Sequence, residues 1–86
     1  MTTAADVVVH LRNYVEDNFL YLHPDVELSD DADLLAVGII DSLGFVELVE
    51  EVQSRYGIEV ADIEITEENF GSINRIARFV ERKQTA

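Results

Sequence analysis

Ala4, Val8, Leu11, Val15 and Phe19 recur at steps of three and four, which is one stripe of an amphipathic helix over roughly Thr3 to Leu20. Thr3 is placed to cap it, and Asp6 puts a negative charge in its first turn. The run Val7-Val8-Val9 is a counter-signal, since three β-branched residues also suit a strand; the longer helical stripe outweighs it. Pro24 disfavours helix at His23, so the element should end around Leu20 to Leu22. A second stripe of Phe45, Leu48, Val49, Val52 and Tyr56 predicts a helix from Ser42 to Tyr56, with Ser42 as N-cap and Gly57 as a left-handed stop. Ile73, Ile76, Ala77, Phe79 and Val80 predict a last helix from Ile73 to about Lys83, capped by Ser72.

Two stretches lack a helical period. Asp25 to Asp41 reads as a long loop, from which Leu34-Leu35 and Ile39-Ile40 should dip into the core. Between Gly57 and Ile65 the residues Ile58, Val60, Ile63 and Ile65 nearly alternate, as in a strand. No second convincing strand exists to pair with it, so an extended loop with apolar anchors is expected. Thr66 should cap one short helical turn ending at Phe70. The fold expected is all-α: a small four-helix bundle, three helices longer and one short, with a long first loop.

Length and composition narrow the function. Eighty-six residues allow one domain, taken as 1–86, and exclude a Rossmann fold or a barrel. A hydrophobic content of 48% is too high for a disordered acidic tail, despite a formal charge of −12. Of eighteen acids, sixteen lie between Glu16 and Glu68, where Arg55 is the only base. That sign argues against nucleic acid and anionic membranes, and favours basic partners. There is no cysteine, hence no disulfide, no thiolate–metal site and no thiol of the chain's own. Without a basic segment before an apolar core at the N-terminus, or any long apolar run, a cytoplasmic chain without membrane insertion is expected.

Most conventional sites fail on inspection. Asp31-Ala32-Asp33 resembles the start of a calcium loop, but Leu35 and Ala36 occupy the next ligand and glycine positions. His10, expected on a helix surface, and His23 have neither metal-site spacing nor a tie to a serine. No acid, base and nucleophile converge, so no catalytic residue is assigned and no enzyme is expected. Two features remain. Leu43, Val46, Glu47 and Glu50 form a second stripe on the Ser42–Tyr56 helix, readable as a solvated acidic face or as a docking strip for a basic partner. Asp41-Ser42-Leu43 stands at a loop-to-helix junction, where on its own it is ordinary capping chemistry.

The string Asp33-Leu34-Leu35-Ala36-Val37-Gly38-Ile39-Ile40-Asp41-Ser42-Leu43, running into an acidic amphipathic helix, resembles the acyl, peptidyl and D-alanyl carrier family. In that family the serine of a Gly-x-x-Asp-Ser-Leu or Gly-x-x-Asp-Ser-Met motif bears 4′-phosphopantetheine. The resemblance runs from the first helix to Val80. It implies Ser42 as the attachment point, with the phosphodiester at a helix N-terminus, where free N–H groups favour an anion. It implies Asp41 as a contact for the phosphopantetheinyl transferase, Leu43, Val46 and Glu47 as positions touched by partner enzymes, and Phe70 and Ile73 as positions beside the arm. Glu50 continues the partner strip.

The resemblance is uneven along the chain. Gly44, Gln53, Ser54 and Arg55 stand where fatty-acid carriers usually have more acids, and Asp41 stands where modular peptidyl carriers have His. Gly44 and Gln53-Ser54-Arg55-Tyr56-Gly57 look similar to D-alanyl carriers, while Glu68-Asn69-Phe70-Gly71-Ser72-Ile73 resembles free-standing acyl carriers of secondary metabolism. The expectation is a free-standing acyl carrier in a dedicated biosynthetic pathway, monomeric. It would be modified by a phosphopantetheinyl transferase, charged by an adenylate-forming ligase, and met by acyl-transferring enzymes with basic docking surfaces. One alternative is an aminoacyl carrier of D-alanyl type. A second is an acidic interaction module with no prosthetic group.

Overall fold

A computed structural model describes residues 3–19, 29–36, 38 and 40–85. Four helices follow in order: α1 (Ala4–Asn18), α2 (Ser42–Tyr56), the single turn α3 (Glu67–Phe70) and α4 (Ile73–Thr85). A 3₁₀ turn, Asp62–Glu64, lies between α2 and α3, and no strand occurs among the described residues. This is the small helical bundle expected.

Helix α1 begins with a capping box. Thr3 Oγ1 accepts from the Asp6 N–H at 3.2 Å, and the Thr3 N–H donates back to Asp6 Oδ2 at 3.4 Å. The valine run resolves as helix: Val7 is buried, Val8 half-buried and Val9 exposed. The fully buried row is therefore Val7, Leu11 and Val15, with Ala4, Val8 and Phe19 flanking it rather than centred. The helix ends at Asn18, short of the expected Leu20 to Leu22. Asn18 Nδ2 donates to the Tyr14 carbonyl at 2.8 Å across the last turn. His23 and Pro24, on which the expected end was argued, lie outside the described residues.

Helix α4 buries Ile73, Ile76, Ala77, Phe79 and Val80, and it packs on α1, α3 and α2. Ser72 Oγ accepts from the Arg75 N–H at 3.2 Å, and Thr66 Oγ1 caps α3 through the Asn69 N–H at 3.2 Å. Gly57 stops α2 in the left-handed conformation (φ 64°, ψ 35°), with its N–H on the Gln53 carbonyl at 3.0 Å. From α2 the core receives Leu48, Val49 and Val52, with Phe45 and Tyr56 packed at its edge.

The long loop contributes Leu34 and Ile40, both buried, whereas Leu35 is about half exposed and Ile39 lies outside the described residues. The loop is pinned to α4 and α1. The Leu34 N–H donates to the Gly71 carbonyl and the Asn74 N–H to the Asp30 carbonyl, each at 2.9 Å, and Arg12 Nε donates to Asp30 Oδ1 at 3.1 Å. Beyond Gly57, Ile58 and Val60 pack against the core, but Ile63 is 87% exposed and Ile65 is also exposed. Those two are not the anchors expected. The 3₁₀ turn replaces the two-residue alternation of a strand with a three-residue repeat, and it turns Ile63 outward.

Candidate functional site

Asp41, not Ser42, caps α2. Its Oδ1 accepts from the Gly44 N–H and its backbone carbonyl from the Phe45 N–H, each at 2.8 Å. Both residues are good caps; the carboxylate one position earlier takes the bond and adds a favourable charge at the helix start. Ser42 becomes the first residue of the helix. It is exposed, and among the described residues nothing engages its hydroxyl. Among the described residues nothing accepts from the N–H groups of Ser42 and Leu43 beside it, so an anion joined to Ser42 Oγ would meet helix-start donors.

Gly44 lets the end of α1 press against this first turn. A Cβ there would meet Phe19 Cε1 at 2.8 Å and both Asp41 Oδ1 and Ile40 Cγ2 at 3.3 Å. With that side of the turn covered, the other side faces outward. Leu43 is 69% exposed and Val46 52%, and Glu47 and Glu50 are exposed with them. The residues proposed from sequence as a partner strip thus share one open face with Asp41 and Ser42.

The two remaining positions separate. Phe70 and Ile73 are both fully buried. Phe70 stacks edge-on to Phe45, with ring centroids 6.0 Å apart, and lies 5.1 Å from Phe79. It also forms part of the wall of a cavity of about 460 Å³, which Ile73 does not line. The cavity is bounded by Asp33, Leu35 and Ala36 of the long loop, Phe45 of α2, and the Ile65–Gly71 segment, including Glu67. Sequence reasoning missed Asp33, Leu35, Ile65 and Glu67. The only trace was that Leu35 and Ile65 are apolar residues in segments without a helical stripe.

Several titrating groups are tuned. The Ala36 N–H holds Asp33 below the usual carboxylate range, helped by Glu67, the Leu35 N–H and the Arg75 charge. The Ala61 N–H, then Lys83, lowers Glu64 in the same way. Burial raises Tyr56 and Tyr14. His10, expected at the surface, is half-buried: Nε2 lies 2.8 Å from Glu51 Oε2 and the ring is edge-on to Tyr56. Among the described residues no group of three His, Cys, Asp or Glu side chains is placed to hold a metal ion, and no helix is long and apolar enough to cross a membrane.

Comparison with known proteins matches residues 9–80 to a family described as phosphopantetheine attachment site. The D-alanyl carrier protein of Streptococcus suis (strain 98HAH33) is 37% identical over 71 residues, covering 83% of this chain and 86% of that protein. The D-alanyl carrier protein of Streptococcus equi subsp. zooepidemicus (strain MGCS10565) is 39% identical over 62 residues, covering 72% of this chain and 78% of that one. A chain in a crystal structure described as that of an FAD-dependent dehydrogenase superposes with a TM-score of 0.69 at 27% identity, over 81% of this chain and 97% of that chain.

Proposed function

The chain belongs to the phosphopantetheine-bearing family of acyl and aminoacyl carrier proteins, and on that premise we propose that Ser42 holds the arm and that its cargo is an aminoacyl group of D-alanyl type. As a carrier it is the protein acted upon, not the catalyst. The covalent 4′-phosphopantetheine supplies a thiol, on which cargo travels as a thioester. The absence of cysteine suits this arrangement, because no neighbouring thiol of the chain can intercept the thioester.

The observation that carries the Ser42 assignment is its free, exposed hydroxyl at the start of α2, immediately after the capping Asp41. The other serines within the matched span serve less well. Ser72 is buried as a helix cap, Ser54 sits near the far end of α2, and Ser29 lies in the long loop and begins no helix. Cargo of D-alanyl type, the alternative to the acyl group expected from sequence, is supported by the relatives and by Gly44 and the Gln53–Gly57 stretch. Loading then falls to an adenylate-forming ligase, after a phosphopantetheinyl transferase has attached the arm. Asp41, Leu43, Val46, Glu47 and Glu50 form the face these enzymes meet, with basic surfaces of their own. The whole chain acts as one monomeric carrier domain in the cytoplasm, where coenzyme A and ATP are supplied.

A second reading follows from the solved-structure match: a dedicated acyl carrier whose cargo is oxidised by an FAD-dependent dehydrogenase while attached. Intact mass after incubation with coenzyme A and a broad-specificity phosphopantetheinyl transferase tests the arm, with Ser42→Ala as control. One phosphopantetheinyl group is expected on the parent and none on the variant. A folded parent that stays unmodified with two transferases would leave only an acidic interaction module. Charging of the modified protein with D-alanine by a D-alanine-activating ligase then separates the two cargo readings.

A further inference from the structure

The cavity beside Phe45 has two kinds of lining. Leu35, Phe45, Ile65 and Phe70 give it apolar walls, while Asp33 and Glu67 bring carboxylates to it. Those two acids come from segments distant in the chain, and the fold brings both to this one cavity. Asp33 is fixed in place, its Oδ1 accepting from the N–H groups of Leu35 and Ala36, each at 3.1 Å. It is also held ionised, first by the Ala36 N–H. Arg75 is the cation that acts on Asp33, but its Nη1 donates to the Glu67 backbone carbonyl at 3.1 Å rather than to a carboxylate. Two acids thus face the cavity with one cation behind them.

We infer that this cavity receives the ammonium end of an aminoacyl group carried on the Ser42 arm, with Asp33 and Glu67 taking the charge and Leu35, Ile65 and Phe70 covering the linkage and a small side chain. The inference rests on the aminoacyl reading and adds the place where such a cargo waits. Like charges at close range repel, and a cation between them relieves the repulsion more strongly beside apolar walls than in open water. A neutral acyl group would gain the walls but leave the two carboxylates with Arg75 as their one nearby cation. The volume lies within the range of ordinary ligand clefts, about 300–1,000 Å³. Phe45 links the cavity to the attachment point: it stands three residues after Ser42 on α2, a spacing that shares a helix face. An arm folded back from Ser42 therefore meets the cavity wall within a turn of its own anchor.

The test uses the full chain carrying synthetic arms. A phosphopantetheinyl transferase attaches arms whose thiol end is replaced by an alanyl amide or a propionyl amide; the two differ only by the ammonium group. Backbone amide NMR shifts at Leu35, Ala36, Ile65 and Glu67 report on the cavity. The alanyl arm is expected to shift these amides where the propionyl arm does not. The difference should be lost in Asp33→Asn with Glu67→Gln and should fade with added salt. Asparagine keeps an Oδ1 acceptor for Leu35 and Ala36, so the loop turn survives the change. Equal shifts with both arms, no shift with either, or alanyl shifts that persist in the double variant would overturn the inference. No ligase enters this experiment, so its outcome is separate from that of D-alanine charging. Failed charging with ammonium-specific shifts removes the cargo assignment and keeps the cavity, and the converse result keeps the cargo and removes the cavity's role.

Discussion

Helices α2 and α4 are similar in length, fifteen and thirteen residues, and both bury an apolar stripe, yet they use their charges in opposite ways. Four of the five charged residues of α4 are directed to the rest of the fold. Arg75 holds the Glu67 carbonyl, Arg82 Nη2 donates to Asn69 Oδ1 at 2.9 Å, Lys83 Nζ to Glu64 Oε1 at 3.0 Å, and Glu81 accepts from the Ala4 N–H. On α2, Glu51 pairs with His10, but among the described residues Glu47 and Glu50 make no ion pair, and Leu43 and Val46 are left in solvent beside them. One helix uses its polar face to fix its neighbours. The other keeps that face open, as a surface that must meet several partners in turn requires.

The largest effect should come from the core between the two helices. Phe70→Ala removes the ring shared by Phe45 and Phe79 and should cost about 3–5 kcal/mol, read from the urea midpoint. Charge reversal on the α2 side should instead leave the fold intact. Glu47→Lys with Glu50→Lys is expected to slow arm attachment about tenfold at low ionic strength, through association rate, with the defect shrinking as salt is added. Unchanged transfer kinetics together with lost stability would erase the contrast between the helices. The start of α2 divides the two roles within two residues. Asp41→Ala should cost about 1 kcal/mol as a lost cap, while Ser42→Ala should move stability by no more than about 0.5 kcal/mol and abolish loading.

The smallest effect is in acid. Asp33 and Glu64 should titrate below the ordinary values of about 3.9 and about 4.3, seen in carboxyl-carbon NMR shifts. Because their pKa values are lowered in the folded protein, the stability they add is present above those ordinary values. It is lost as pH falls through the lowered midpoints. Midpoints at or above the ordinary values would mean that the Ala36 and Ala61 amides do not hold these acids.

The helices were legible because their signals were local and redundant. Thr3, Ser72 and Thr66 cap where capping chemistry places them, Gly57 stops α2, and the α4 stripe buries every residue it nominated. The cap of α2 was misplaced by one residue because Asp41 and Ser42 are both competent and only geometry chooses between them. Ile63 and Ile65 alternated as buried strand residues would, but a 3₁₀ turn has a different period. The strip proposed for docking was visible as a helix face, since its four residues share one helix. The cavity was not, because it forms where residues 33–36 meet residues 65–71, and no local pattern records that meeting.

That meeting also governs how the chain reaches its fold. Helices α1, α2 and α4 need only neighbours in sequence to begin forming, on the sub-microsecond to microsecond scale of helix–coil relaxation. The bonds from Leu34 to Gly71 and from Asp30 to Asn74 instead join residues about forty positions apart, and they close only once α4 is in place. The long loop gives a helical protein some of the non-local character of a sheet protein, and topology of that kind slows folding. Docking of the loop is then the late step of assembly, and the wall it supplies to the cavity is the last part of the carrier to be built.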